Sequence, residues 1–141
     1  MLRLLLLSLI TTWAWSFSDL SSEEMTTYIT EGEGDVVVID VRTPQEWAQT
    51  GIIASSQPIM YFDDHFAPHK SEFLSQLSQV VNGNKNKTII LICRSGQRSK
   101  LVAGILEREG YTKVFNHKNG ILEWLAENRP VTKKPTYVCC Q

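Results

Sequence analysis

Two unbroken β-branched runs, residues 36–39 and 88–92, stand out from the mixed polar and apolar positions around them. A run with no polar interruption suits a strand buried on both faces of a parallel sheet, so both predict central strands. Elsewhere the apolar positions recur at helical spacing. Phe73, Leu74, Leu77, Val80 and Val81 share one face of a predicted helix that opens at Ser71 and stops at Asn82-Gly83-Asn84. Leu101, Val102, Ile105 and Leu106 mark another, ending at Gly110. Ser21, three residues before Glu24, predicts a capping box over a short helix at 23–29, closed by Gly32 and Gly34. Thr43-Pro44 predicts a second capped start, running through Glu46-Trp47 to Gly51. Residues 57–60 and Val114-Phe115 are short strand candidates, 121–127 is a last helix, and 61–70 lacks any period and reads as a loop.

Strands alternating with helices imply right-handed crossovers, hence an α/β fold: a mostly parallel central sheet with helices on both faces. With 141 residues and 43% in the hydrophobic set, the chain supports one domain with a proper core. The net charge is -1 and no basic stripe appears, which excludes the electrostatic footprint of a nucleic-acid binder. Met1-Leu2-Arg3 precedes an apolar run to about Ser18, shorter than the ~20 residues that span a membrane. Residues 1–16 therefore read as a signal peptide cleaved after Ser16, with no cysteine nearby to carry a lipid. The expectation is an exported, soluble monomer without a stable membrane anchor, periplasmic in a Gram-negative bacterium and otherwise secreted. Its domain covers 17–130 and a tail covers 131–141.

The chemistry concentrates at Cys93. It stands where a buried strand runs out into a loop, the position at which open α/β sheets bind ligands. Arg94, Ser95, Gly96, Gln97, Arg98 and Ser99 then lead straight into a helix, whose first N–H groups and dipole favour an anion. Cysteines so placed in proteins can have the pKa lowered to about 3.5–7.5, so the expectation for this one is a thiolate nucleophile. Gly96 lets the backbone curl round the sulfur, and Arg94 and Arg98 offer planar cationic forks to an oxyanion.

The segment from Cys93 to Ser99 resembles the active-site loop of the rhodanese family, and other motifs agree in order. Asp40-Val41-Arg42, Glu46-Trp47, Gly51-Ile52-Ile53, Gly110-Tyr111, Val114 and Gly120-Ile121 with Trp124 are similar to that family's pattern, so the resemblance runs from about residue 20 to 129. It implies a three-layer α/β domain in which Cys93 takes a sulfane sulfur from thiosulfate or a similar donor as a persulfide. The sulfur then passes to cyanide or a thiol. No cofactor is implied, and Asp40 and Arg42 take a supporting, largely structural role. Phosphatases of related fold carry an arginine six positions after the cysteine, whereas Arg98 here is fifth and Ser99 sixth, which favours sulfur over phosphate. The chain departs from the pattern at Ile52, at Ser55-Ser56 and at Asn119.

Other side chains offer less. His65, His69 and Asp63-Asp64 match no metal-ligand spacing and read as a solvated loop, so no metal is expected. His117 reads as a surface or strand-edge residue, and Trp47 and Trp124 as core aromatics. Cys139-Cys140 reads as a flexible end, as a tail that pairs with another chain or with Cys93, or as the source of one thiol that accepts sulfur from Cys93. Two further functions stay open at this point: a non-enzymatic persulfide carrier or sulfide and redox sensor, and a phosphatase or arsenate-handling enzyme.

Overall fold

The computed structural model describes residues 17–32 and 34–133. The signal-peptide reading and Cys139-Cys140 therefore lie outside the described residues. The elements in chain order are β1 (Ser18–Leu20), α1 (Ser22–Glu31), β2 (Val36–Asp40), α2 (Pro44–Thr50) and β3 (Ser56–Pro58). They continue with α3 (Lys70–Val80), β4 (Thr88–Ile92), α4 (Gln97–Arg108), β5 (Lys113–His117) and α5 (Gly120–Ala126). The predicted capping box of Ser21 with Glu24 opens α1, and the predicted Thr43 cap opens α2 as a second box, with Glu46 returning the bond.

The strands make one sheet in the order β1-β5-β4-β2-β3, and every pairing is parallel. β4 is buried along its whole length, as its unbroken apolar run requires. Successive residues of a strand point to opposite faces, and the core divides accordingly. Ile39, Ile89, Leu91 and Val114 pack with Phe73 and Leu77 of α3 and Val102 and Leu106 of α4. On the other face Val38, Ile90 and Ile92 meet Met25 of α1 and Ile121 and Trp124 of α5. This three-layer α/β arrangement is the predicted one.

β1 carries no pattern in the sequence that predicts it, and its pairing with β5 changes the place of His117. His117 is not at a surface or a strand edge: it is fully buried, because β1 pairs on the outer side of β5 and makes it an interior strand. The His117 ring reaches the Ser22 hydroxyl at 3.0 Å and Glu123 at 3.5 Å, beneath the starts of α1 and α5. Burial holds its pKa below the ordinary histidine value, against the pull of Glu123. Trp124 is buried with its indole N–H donating to the Pro130 carbonyl, while Trp47 is only half-buried. Beyond Pro130, Thr132 still exchanges two backbone hydrogen bonds with Ile52, so the described fold extends past residue 130.

Candidate active site

β2 and β4 are neighbours, yet the chain leaves β2 toward β3 on one side and leaves β4 toward β5 on the other. The crevice beyond their carboxyl ends is therefore the topological switch point, where such sheets hold ligands. Asp40 through Thr43 emerge there from β2, and Cys93 emerges from β4.

The loop after Cys93 is shaped by two glycines. Gly96, at φ 86°, caps α4, and a Cβ on it would stand 1.9 Å from the Lys118 carbonyl oxygen. Gly120, at φ 62°, starts α5, and a Cβ there would meet the carbonyl oxygens of Cys93 and Arg94 at 2.4 and 2.5 Å. Only glycine meets both demands at either position. The close approach lets the N–H groups of Ile121 and Leu122 donate to those same two carbonyls at 2.9 and 3.2 Å. The start of α5 thus buttresses the loop from below.

Within it the Cys93 sulfur, in a residue 1% exposed, receives the Gly96 N–H at 3.1 Å and faces the Ser99 hydroxyl at 3.2 Å. Hydrogen-bond donors aimed at a sulfur favour negative charge on it. The N–H groups in the first turn of α4 have no acceptor within the helix.

The two loop arginines separate. Arg98 grips Glu46 of α2 with both prongs, Nη1 to Oε2 at 2.8 Å and Nη2 to Oε1 at 2.5 Å. Burial works against the Glu46 carboxylate, but the hydrogen bonds from Arg98 and the Thr43 N–H, with the charges of Arg98 and Arg42, hold its pKa below normal. The same pair raises that of Arg98, whose charge also lies within range of Cys93. The expected free fork of Arg98 is therefore a clamp across the crevice, filled because Glu46 sits opposite it. Arg94 is exposed, with no side-chain partner for its guanidinium among the described residues. Ser95 and Gln97 are exposed beside it. Arg94 borders a cleft of about 260 Å³ with Glu46, Gln49, Thr50 and Leu122.

Asp40 and Arg42 are brought together under this crevice, both essentially inaccessible. Arg42 Nη2 lies 2.6 Å from Asp40 Oδ2, and its remaining N–H groups reach Thr50 Oγ1 at 2.7 Å and the Gly51 carbonyl at 2.8 Å. The pair ties the end of β2 to the end of α2 and reaches no reacting atom. Among the described residues no three His, Cys, Asp or Glu side chains gather as for a metal ion. His69 instead pairs with Asp63 at 3.2 Å, while Asp63 also accepts the N–H groups of His65 and Ala67.

Residues 24–127 match the rhodanese-like domain family. The chain belongs to this family. It is 30% identical over 114 residues to a sulfurtransferase of Allochromatium vinosum, a match covering 81% of this chain and 94% of that protein. It is 27% identical over 107 residues to the thiosulfate:glutathione sulfurtransferase of Saccharomyces cerevisiae, covering 75% and 76%. The fold is similar to that of the polysulfide-sulfur transferase homodimer of Wolinella succinogenes, with TM-score 0.66, 19% identity, and 89% and 85% coverage. Family and relatives together put the chain among the sulfurtransferases.

Two residues at this rhodanese-like site escaped the sequence reading. Asn116 of β5 accepts the Ser99 hydroxyl at 2.6 Å, and Asp19 of β1 accepts the Asn116 amide N–H at 2.8 Å. They lie 17 and 97 residues from their partners, so no local spacing signals them. Glu46 had a signal in the family motif, but its partnership with Arg98 appears only once α2 and α4 meet.

Proposed function

We propose that this protein is an exported sulfurtransferase that moves a sulfane sulfur from thiosulfate, or a similar small anionic donor, to cyanide or a thiol through a persulfide on Cys93. The observation that carries the proposal is the strand-end sulfur of Cys93, faced by the Gly96 N–H and the Ser99 hydroxyl at the mouth of α4. The thiolate attacks the outer sulfur of thiosulfate; the new S–S bond forms as the old one breaks, and sulfite leaves with the electron pair. The acceptor, as cyanide or thiolate, then attacks the outer sulfur of the persulfide, and Cys93 departs as a thiolate. Charge balances in both steps, and neither needs a cofactor.

Burial of Cys93 decides who reaches it. A slim terminal atom approaches a residue 1% exposed more readily than a bulky group does, which suits the outer sulfur of thiosulfate. Once bound, that sulfur stands about 2 Å farther out, one S–S bond length, within reach of a larger acceptor. Arg94, the loop arginine without a partner among the described residues, is assigned to the anionic donor, and Arg98 to holding the loop. The N–H groups of the loop from Arg94 to Ser99 hold the persulfide.

Incubation of the purified protein with thiosulfate is expected to add about 32 Da, one sulfur atom, to Cys93. Cys93→Ser is expected to lose both that increment and thiocyanate formation. An unmodified wild-type protein, tested with thiosulfate and with polysulfide, would overturn the proposal. Export is tested separately by the N-terminal sequence of the protein recovered from its native cell, expected to start at Phe17.

A further inference from the structure

Ser99 lies between two acceptors and owns one proton. Its Oγ is 3.2 Å from Cys93 Sγ and 2.6 Å from Asn116 Oδ1. Ser99 is 0% and Asn116 1% exposed, so solvent does not settle the competition. Nor does the Asn116 carboxamide turn to escape it. Its Nδ2 donates at 2.8 Å to Asp19 Oδ1, and a carboxylate only accepts, so Oδ1 is left facing Ser99. The β1 and β5 register sets Asp19 directly beside Asn116, which fixes this pair by backbone pairing.

We propose that Asn116, oriented by Asp19, is a positioning residue that competes with Cys93 for the Ser99 hydroxyl proton, so that the hydroxyl turns to the sulfur only when the sulfur is anionic. The inference rests on Cys93 as the nucleophile. With a neutral thiol, S–H donates to Ser99 Oγ and the hydroxyl donates to Asn116, leaving every group satisfied. With a thiolate, the hydroxyl rotates to Sγ, joins the Gly96 N–H there, and leaves Asn116 Oδ1 without its donor. In the persulfide the charge moves to the outer sulfur and the hydroxyl returns to Asn116. When the acceptor takes that sulfur, the S–S bond breaks with its electron pair on Sγ, and the hydroxyl turns back to receive it. No heavy atom has to move. Asn116 therefore makes the thiolate dearer than the Gly96 and Ser99 donors alone would, which preserves nucleophilicity, since a sulfur that ionises too easily attacks weakly.

The test is the pH dependence of iodoacetamide alkylation at Cys93, in the full chain with Cys139 and Cys140 changed to serine so that one thiol reports. Asn116→Leu is expected to lower the midpoint of the alkylation profile by about half a unit to one unit. Ser99→Ala is expected to raise the midpoint, and in that background Asn116→Leu is expected to change nothing. Asp19→Asn, at an exposed position, supplies a donor to Asn116, frees the carboxamide to invert, and is expected to lower the midpoint as well. That shift also depends on the Ser99 hydroxyl. A simple loss of carboxylate charge would instead persist in Ser99→Ala, and that result, or unshifted midpoints, would overturn the proposal. If Asn116→Leu fails to fold, the two Asp19→Asn measurements decide alone. Alkylation is read without any sulfur donor, so shifted midpoints without sulfur loading would sink the transferase reading and leave this device standing. Loading with unshifted midpoints would do the reverse.

Discussion

At the scale of single residues, charge at the site is divided by pairing. Of Arg42, Arg94 and Arg98, two are already committed to carboxylates, Asp40 and Glu46. Arg94 alone of the three has no partner for its guanidinium among the described residues, and a hydrogen bond to a charged group contributes about 1.5–3 kcal/mol. Arg94→Ala is accordingly expected to raise the KM for thiosulfate about tenfold or more, with alkylation of Cys93 by a neutral reagent little changed. Steady-state kinetics with the two reagents side by side checks this. Arg42 answers differently because it is buried with its partner. Arg42→Met strands the Asp40 carboxylate in the interior, and the expected loss of stability is about 3–5 kcal/mol in denaturant unfolding. Replacing Asp40 by leucine as well is expected to restore part of that loss, since no orphaned charge then remains.

At the scale of elements, the legible parts of the chain were those with a local cause. The Ser21 capping box, the Thr43 cap, the two β-branched central strands and the amphipathic α3 and α4 are written in neighbouring residues, and each formed where its pattern lay. The strand-to-helix junction at Cys93 was legible for the same reason. β1 was not, because three residues, Ser18–Leu20, carry no period and become a strand only through pairing with β5. His117 was misplaced with it, and Asn116 stayed unseen, since its partners come from β1 and α4. The α5 buttress is where element and site meet. Gly120→Ala is expected to lose at least about 2 kcal/mol, from the left-handed backbone and the crowding of the Cys93 and Arg94 carbonyls. Sulfur transfer should fall with it even below the unfolding temperature, because the same Cβ pushes on the loop that holds the sulfur. Parallel melting and turnover curves of the variant check both.

At the scale of the whole molecule, one buried titratable group joins the starts of α1 and α5. His117 connects α1, through the Ser22 hydroxyl, to α5, through Glu123, and burial keeps it neutral in the native state. The unfolded chain exposes the same ring with an ordinary value near 6.5. Below that value the unfolded state binds a proton that the native state refuses, so stability falls as the pH drops. The contribution is therefore complete above about pH 6.5 and is lost on acidification toward the depressed native value. Glu123, whose hydrogen bonds from Asn119 and Ser22 hold it below the usual carboxylate range, adds a second loss only further into acid. The melting temperature is expected to decline from pH 7.5 to pH 5, in a range where Glu123 is still largely ionised. His117→Gln, which keeps a polar partner for Ser22 but cannot titrate, is expected to melt lower at pH 7.5 and to flatten that decline. A slope unchanged in the variant would place the acid sensitivity elsewhere in the fold. A flattened slope would locate it at the junction of α1 with α5, one residue along β5 from Asn116.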